Sequence, residues 1–157
     1  MDDANRFLCQ AIELAHANIA AGGRPFGAVV VGNGQVLATA VNEMHLSHDV
    51  TDHAELVAIR AAARAHGPEA LKGSTVYASG HPCPMCLAAM RLAGVGTVAY
   101  AYSNEDGAPF GLSTAEIYAE LRRPFAEQSM AIGHVPVERK SGRHLYEEWA
   151  QAREGRK

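Results

Sequence analysis

The alternation of short apolar runs with amphipathic segments constrains this chain most, because few sheet topologies accommodate it. Two of the runs flank Asn33-Gly34, a pair that supplies the positive backbone angles of a two-residue hairpin turn. The predicted strands are residues 27–31, 35–42, 75–79, 97–102 and 131–137. The predicted helices are residues 7–19, 56–66, 84–92, 113–121 and 145–153. This order predicts an α/β fold with one mixed five-stranded sheet and helices on both faces.

Length and composition predict a single domain spanning residues 1–157. A chain of 157 residues has the usual size of one domain. Hydrophobic residues make up 48% and charged residues 20%, which is typical of a globular protein and excludes a disordered chain. The net charge of -3 provides no positive field for a phosphate backbone, which argues against nucleic acid as a general partner.

The sequence also predicts a cytoplasmic protein without a membrane segment. No run approaches the roughly 20 apolar residues that cross a bilayer, and the first residues are acidic where a signal peptide is positive. Of the three cysteines, Cys83 and Cys86 are three positions apart, which fits metal or redox chemistry in a reducing compartment. Cys9 lies on the apolar side of the first helix, and we expect it in the core.

Two short clusters carry residues with chemical function. His53-Ala54-Glu55 begins one predicted helix, and Pro82-Cys83-Pro84-Met85-Cys86 begins the next. A helix N-terminus favours anions, which lowers thiol pKa values and helps thiolates hold a soft cation. Three ligands of the types in His53, Cys83 and Cys86 leave a fourth tetrahedral position for water, as in catalytic zinc sites. The clusters together predict one Zn²⁺ per chain with a catalytic water.

Glu55 is the candidate general acid and base. It follows the predicted ligand His53 by two residues, so its carboxylate is expected close to the metal without binding it. There it would accept a proton from the water and pass it on. A structural alternative exists, because Asp52 to Glu55 also has the spacing of a helix capping box.

Two further alternatives concern the cysteines. Cys83 and Cys86, between a strand and a helix, also fit a thiol–disulfide oxidoreductase, which would be active without metal. A structural zinc site is the other alternative, and it would need a fourth ligand. The candidates for that ligand are His45, His48 and His81.

The two clusters are part of a wider pattern of motifs. The segments are Pro25-Phe26-Gly27-Ala28-Val29-Val30-Val31, Asn42, His53-Ala54-Glu55, Pro82-Cys83-Pro84-Met85-Cys86 and Ile117-Tyr118. H-x-E with P-C-x-x-C is the signature of zinc-dependent nucleobase deaminases. Over nearly its whole length the chain resembles the cytidine deaminase-like superfamily, and within it the short bacterial guanine deaminases.

The resemblance implies a three-layer α/β/α sandwich that hydrolyses an aminated heterocycle to its oxo form and ammonia, most simply guanine to xanthine. It implies that His53, Cys83 and Cys86 bind zinc and that Glu55 transfers protons. It also implies that Asn42 hydrogen-bonds the ring and that Phe26 packs near the base. Further substrate contacts are expected at Ala54 and Pro82. For Asn42 the residues alone also allow plain turn chemistry at a strand end.

The sequence departs from the guanine deaminase pattern at two places. Ser113 and Thr114 occupy the positions of an acidic pair, and they also suit a helix N-cap. His81 replaces a glutamate before Pro82 and would either tune the metal or fill a turn. The alternatives for the substrate are a nucleoside, cytosine, a triazine or a pterin, and a further one is adenosine in tRNA.

The resemblance also implies an assembly. The short guanine deaminases are homodimers that exchange C-terminal segments, so one subunit completes the pocket of the other. We therefore expect a homodimer of this chain that takes a small-molecule heterocyclic substrate.

Overall fold

Four strands form one sheet in the computed structural model, which describes residues 3–140 and 142–155. The strands are β1 (Gly27–Gly32), β2 (Gln35–Val41), β3 (Thr75–Gly80) and β4 (Thr97–Tyr102), in the order β2-β1-β3-β4. β1 is antiparallel to both of its neighbours, and β3 is parallel to β4. The predicted hairpin is confirmed, with φ of 50° at Asn33 and 75° at Gly34.

Seven α-helices accompany the sheet in the part of the chain that the structure describes. They are α1 (Asp3–Ala20), α2 (Met44–Ser47), α3 (Ala54–His66), α4 (Pro84–Ala93), α5 (Asn104–Gly107), α6 (Ala115–Leu121) and α7 (Leu145–Glu154). Short 3₁₀ turns occupy Pro68–Leu71, Ala108–Phe110 and Phe125–Glu127. The one-turn helices α2 and α5 lie in segments that the sequence predicts as loops.

Helices pack on both faces of the sheet, which confirms the α/β class and the layers of helices on either side. Side chains of a strand alternate between the two faces of a sheet, and β1 has buried side chains on both faces. Ala28 and Val30 pack in a core with α3 and α4, whereas Val29 and Val31 pack against Phe7 of α1. Because β1 has apolar residues at every position from 27 to 31, it is the central buried strand that its sequence predicts.

The fifth predicted strand, residues 131–137, is wrong. This segment belongs to no sheet among the described residues, and Val135 and Val137 are 76% and 78% exposed. Its β-branched residues favour an extended chain, but a strand needs a neighbour with which to form hydrogen bonds. Pro136 lacks the N–H group, and Gly133 weakens strand propensity further.

The prediction that Cys9 lies in the core is also wrong, since Cys9 is exposed. The buried face of α1 is formed by Phe7, Ala11, Ala15 and Asn18. Cys9 follows Phe7 by two positions, which places it about 200° around the helix, on the opposite side. None of the described helices is long and apolar enough to cross a membrane.

The chain divides into two compact units, the first ending at Arg122 and the second beginning at Arg123. All four strands and helices α1 to α6 belong to the first unit. The second unit contains α7, where the Arg153 guanidinium lies 4.9 Å from the centre of the Trp149 ring. Apart from the half-buried Gln128, its described residues are exposed, including Leu145, Tyr146 and Trp149.

Candidate metal centre and catalytic pocket

Two helix starts in the first unit bring the predicted metal ligands together. His53 is the N-cap residue of α3, and Cys83 is the N-cap residue of α4. Pro84 occupies the first turn of α4, where its missing N–H group costs no hydrogen bond. The Sγ atom of Cys83 accepts a hydrogen bond of 3.4 Å from the backbone N–H of Cys86, so this helix start already stabilises negative charge on sulfur.

The three side chains have the spacing that a tetrahedral zinc ion requires. His53 Nδ1 lies 3.4 Å from Cys83 Sγ and 3.6 Å from Cys86 Sγ, and all three ligand atoms lie within 4.8 Å of one another. Zinc bonds of about 2.0–2.1 Å to nitrogen and about 2.3 Å to sulfur put such atoms about 3.6 Å apart at tetrahedral angles. Imidazole with two thiolates is also a donor set that zinc prefers.

The electrostatics of the group favour a cation at its centre. A hydrogen bond with Cys86 lowers the pKa of the Cys83 thiol to about 4, and the same hydrogen bond raises the pKa of Cys86. The pKa of His53 is raised, first by its hydrogen bond with Cys83. The lowered pKa favours the thiolate form of Cys83, which is the form that binds a metal ion.

The group has three ligands and no more within residues 3–140 and 142–155. No fourth His, Cys, Asp or Glu side chain joins His53, Cys83 and Cys86 there. The candidates for a fourth ligand, His45, His48 and His81, thus lie outside the group. Three protein ligands leave one coordination position open, which is the arrangement of a catalytic zinc site.

Glu55 is buried next to the metal centre. Its side chain is 6% exposed, and burial raises the pKa of the carboxyl to about 7. The capping-box alternative is not observed, because His53 rather than Asp52 is the N-cap and no side chain caps α3. Asp52 instead forms a 2.8 Å ion pair with Arg60. A carboxyl group that titrates near neutral pH is suited to take up and release a proton.

His53, Cys83 and Glu55 border a cavity of about 190 Å³, whereas the third ligand, Cys86, is fully buried and does not line it. Phe26, Asn42, His53, Glu55 and Cys83 all line it, so the structure brings most of the predicted site residues together. Ala54 and Pro82, the two other predicted contacts, are buried but do not form its walls. The carbonyl of Pro82 instead accepts a hydrogen bond from the Tyr118 hydroxyl.

The orientation of Asn42 is fixed by its neighbours. Asn42 is 2% exposed, and its Oδ1 accepts a 3.0 Å hydrogen bond from the backbone N–H of Met44. This bond assigns the two ends of the amide, since only the oxygen can accept. Asn42 thus makes the turn contact that its position at a strand end suggests. The Nδ2 donor has no partner among the described residues.

Sequence reasoning missed several wall residues. Arg24, Met44, Gly111 and Leu112 line the cavity, together with His81, Ser113 and Thr114, which the sequence had singled out. Arg24 directly precedes the recognised Pro25-Phe26 motif, and that neighbourhood was the available signal. A second cavity of about 420 Å³ shares Phe26 and His81 with the first.

Fold and site together define a zinc-dependent deaminase. Residues 1–102 match the model of the cytidine and deoxycytidylate deaminase zinc-binding region. The chain therefore belongs to this family, whose zinc cofactor fits the group formed by His53, Cys83 and Cys86.

Relatives sharpen this assignment. The chain is 39% identical to guanine deaminase of Bacillus subtilis over 132 residues, which cover 83% of this chain and 85% of the relative. The crystal structure of guanine deaminase from Bacillus subtilis superposes with a TM-score of 0.79 and 34% identity, covering 99% and 94% of the two chains. A tRNA-specific adenosine deaminase of Agrobacterium fabrum is 40% identical over 83 residues, 53% of this chain and 55% of its own length.

Proposed function

We propose that this protein is a zinc-dependent deaminase that hydrolyses guanine to xanthine and ammonia. The observation that carries the proposal is that a group of three metal ligands, two of which line a cavity, shares that cavity with a buried carboxyl group and an oriented amide. The guanine deaminase of Bacillus subtilis, which resembles this chain over most of its length, supports the choice of substrate.

His53, Cys83 and Cys86 would hold the zinc ion. When bound, zinc lowers the pKa of a coordinated water to about 7 and so supplies a nucleophile at neutral pH. His53 at the start of α3 and the two cysteines at the start of α4 would hold the ion, and both helices are anchored in the core next to the sheet.

Glu55 serves the proton transfers. The hydrolysis adds water across the C–N bond, so one proton must leave the water and one must reach the departing amine. Burial raises the pKa of Glu55 to about 7, so the group can accept the first proton and donate the second. Both transfers occur within the cavity that Glu55 lines.

Asn42 and Phe26 would orient the heterocycle. The fixed amide presents its Nδ2 donor to a ring or carbonyl acceptor. The Phe26 ring, which packs over Gly80, offers an apolar surface to the base. We propose Ala54 and Pro82 as further substrate contacts, because they adjoin His53 and Cys83 at the two helix starts.

The experiment is an ammonia-release assay of the zinc-loaded protein on guanine, guanosine, cytosine, cytidine, adenine, ammeline and a pterin. Release from guanine above all others supports the proposal. Ammonia release from another heterocycle, with none from guanine, would refute guanine as the substrate and leave the deaminase activity supported. Adenosine in tRNA is included as a separate arm, and the net charge of -3 predicts no activity there.

We further propose that the chain acts as a cytoplasmic homodimer in which residues 1–157 work as one functional domain. The thiol ligands need a reducing compartment to remain unoxidised. Leu145, Tyr146 and Trp149 are between 59% and 74% exposed, and apolar side chains exposed side by side favour burial against a second copy. Sedimentation analysis at several concentrations should give the mass of two chains, and the mass of one chain would refute the dimer.

A further inference from the structure

Two side chains that line the cavity at the metal centre, Asn42 and Arg24, have hydrogen-bond donors with no partner in the described part of the chain. Glu55 is the one carboxylate among the described residues that line it, and the proposed proton transfers occupy that group. The Nδ2 of Asn42 and the guanidinium of Arg24 only donate, whereas the hydroxyls of Ser113 and Thr114 donate or accept. A ligand that faces Arg24 and Asn42 must therefore offer acceptors on its non-reacting edge.

Arg24 is the strongest of these donors. Its guanidinium forms no ion pair, hydrogen bond or ring contact with any other described residue, although it lines a cavity with Glu55 and His53. A charged donor at the edge of a small cavity without a protein partner is available to a ligand.

The backbone carbonyls of Arg24 and Asn42 share one hydrogen-bond donor. The Nδ2 atom of Asn18, a buried residue of α1, donates to the carbonyl of Arg24 at 2.8 Å and to the carbonyl of Asn42 at 2.9 Å. A side chain at Gly23 would lie only 2.5 Å from that Nδ2, so glycine is needed for this approach. The Asn18 amide thus fixes the distance between the backbone carbonyls of Arg24 and Asn42, two residues that line the cavity.

We propose that Arg24 is a specificity-determining residue that binds an exocyclic oxygen of the substrate and so selects oxo-substituted aminated heterocycles. The proposal rests on the proposed function and refines its substrate class. A guanidinium presents two parallel N–H donors, which suit a carbonyl oxygen and oppose an exocyclic amine at the same place. Guanine carries such an oxygen, whereas 2-aminopurine lacks it and 2,6-diaminopurine replaces it with an amine.

Equilibrium binding tests the proposal without depending on turnover. Hypoxanthine and purine share one ring system and differ by the exocyclic oxygen. Calorimetry on the zinc-loaded protein should show hypoxanthine binding about 10- to 100-fold tighter than purine, which is the range of a hydrogen bond to a charged group. Arg24→Met should weaken the binding of hypoxanthine by about 10-fold or more and the binding of purine by less than about twofold.

Two variants complete the experiment. Arg24→Lys keeps the charge without the paired donors, and we expect an intermediate loss for hypoxanthine. Arg91→Met changes an exposed arginine of α4 that does not line the cavity, and it should leave the affinity for both ligands unchanged. Equal weakening of both ligands by Arg24→Met, or a wild type that binds hypoxanthine no better than purine, would overturn the proposal. Failure of guanine turnover alone would reject the proposed substrate and leave this result standing.

Discussion

The two sides of the catalytic cavity differ in how the chain builds them. On the metal side, His53 and Glu55 at the start of α3 and Cys83 at the start of α4 are fixed by helices that pack on the sheet. On the recognition side, Arg24 and the segment from Gly111 to Thr114 are parts of loops, and they are exposed or half-buried. The reaction type therefore depends on regular elements, whereas substrate choice depends on loops.

This division predicts a ranking of mutational effects. Changes on the metal side should remove the reaction itself, whatever the substrate. Changes on the recognition side should act mainly on binding and should differ between substrates. The following variants test the two sides in turn, in order of decreasing expected effect.

Cys86→Ala should have the largest effect. Without this ligand the chain should retain less than about one tenth of its zinc, and kcat/KM should fall by more than about 10⁴-fold, since nucleophile and proton transfer are lost together. Elemental analysis and ammonia release measure the two quantities. Cys9→Ala is the matched control, because exposed Cys9 should change stability by less than about 0.5 kcal/mol. Full zinc content in Cys86→Ala would contradict the assigned ligand set.

Glu55→Gln should have the next largest effect. The amide keeps the size of the side chain but cannot accept and return a proton, so kcat should fall by about 10²- to 10⁴-fold. Zinc content should stay at about one ion per chain, because Glu55 is not a ligand. A variant that keeps more than about a tenth of the wild-type kcat would instead assign Glu55 a structural role. An unchanged activity would also fit the thiol–disulfide alternative for Cys83 and Cys86.

Asn18→Ala tests the recognition side. Two hydrogen bonds to backbone carbonyls disappear, so the free energy of unfolding should fall by about 2–3 kcal/mol, and KM should rise by about tenfold with kcat within about threefold. Urea denaturation and steady-state kinetics separate the two effects. Gln10→Ala, at an exposed position of α1, is the control. A fall in kcat with KM unchanged would show that Asn18 supports the metal side instead.

Much of the fold could be predicted from the sequence because the signals are local. Asn33-Gly34 specifies the hairpin, and the apolar run of β1 specifies a strand buried on both faces. The prediction of a strand at residues 131–137 was wrong because pairing with a neighbouring strand is a non-local property, which β-propensity does not describe. The prediction that Cys9 is buried was wrong for a geometric reason. An apolar residue close to the buried stripe of a helix need not lie on that stripe.

The site divides along the same line. His53, Glu55, Cys83 and Cys86 could be predicted, because metal ligands need particular residue types at particular helix positions. The position of Arg24 next to Pro25-Phe26 was its one sequence signal, but an arginine in a loop has the same signature whether it faces solvent or a cavity. The Asn18 amide reaches Arg24 across 6 positions and Asn42 across 24, and no local sequence pattern predicts these hydrogen bonds.

A zinc titration of the metal-free protein tests the central claim most directly. Chelator-stripped enzyme, kept reduced, receives increasing zinc while ammonia release from guanine is followed. Activity should be absent without metal and should rise linearly to a break at about one zinc per chain, since three protein ligands hold one ion. Activity that survives stripping, or that stays absent at one bound zinc per chain, would contradict a catalytic zinc site at His53, Cys83 and Cys86.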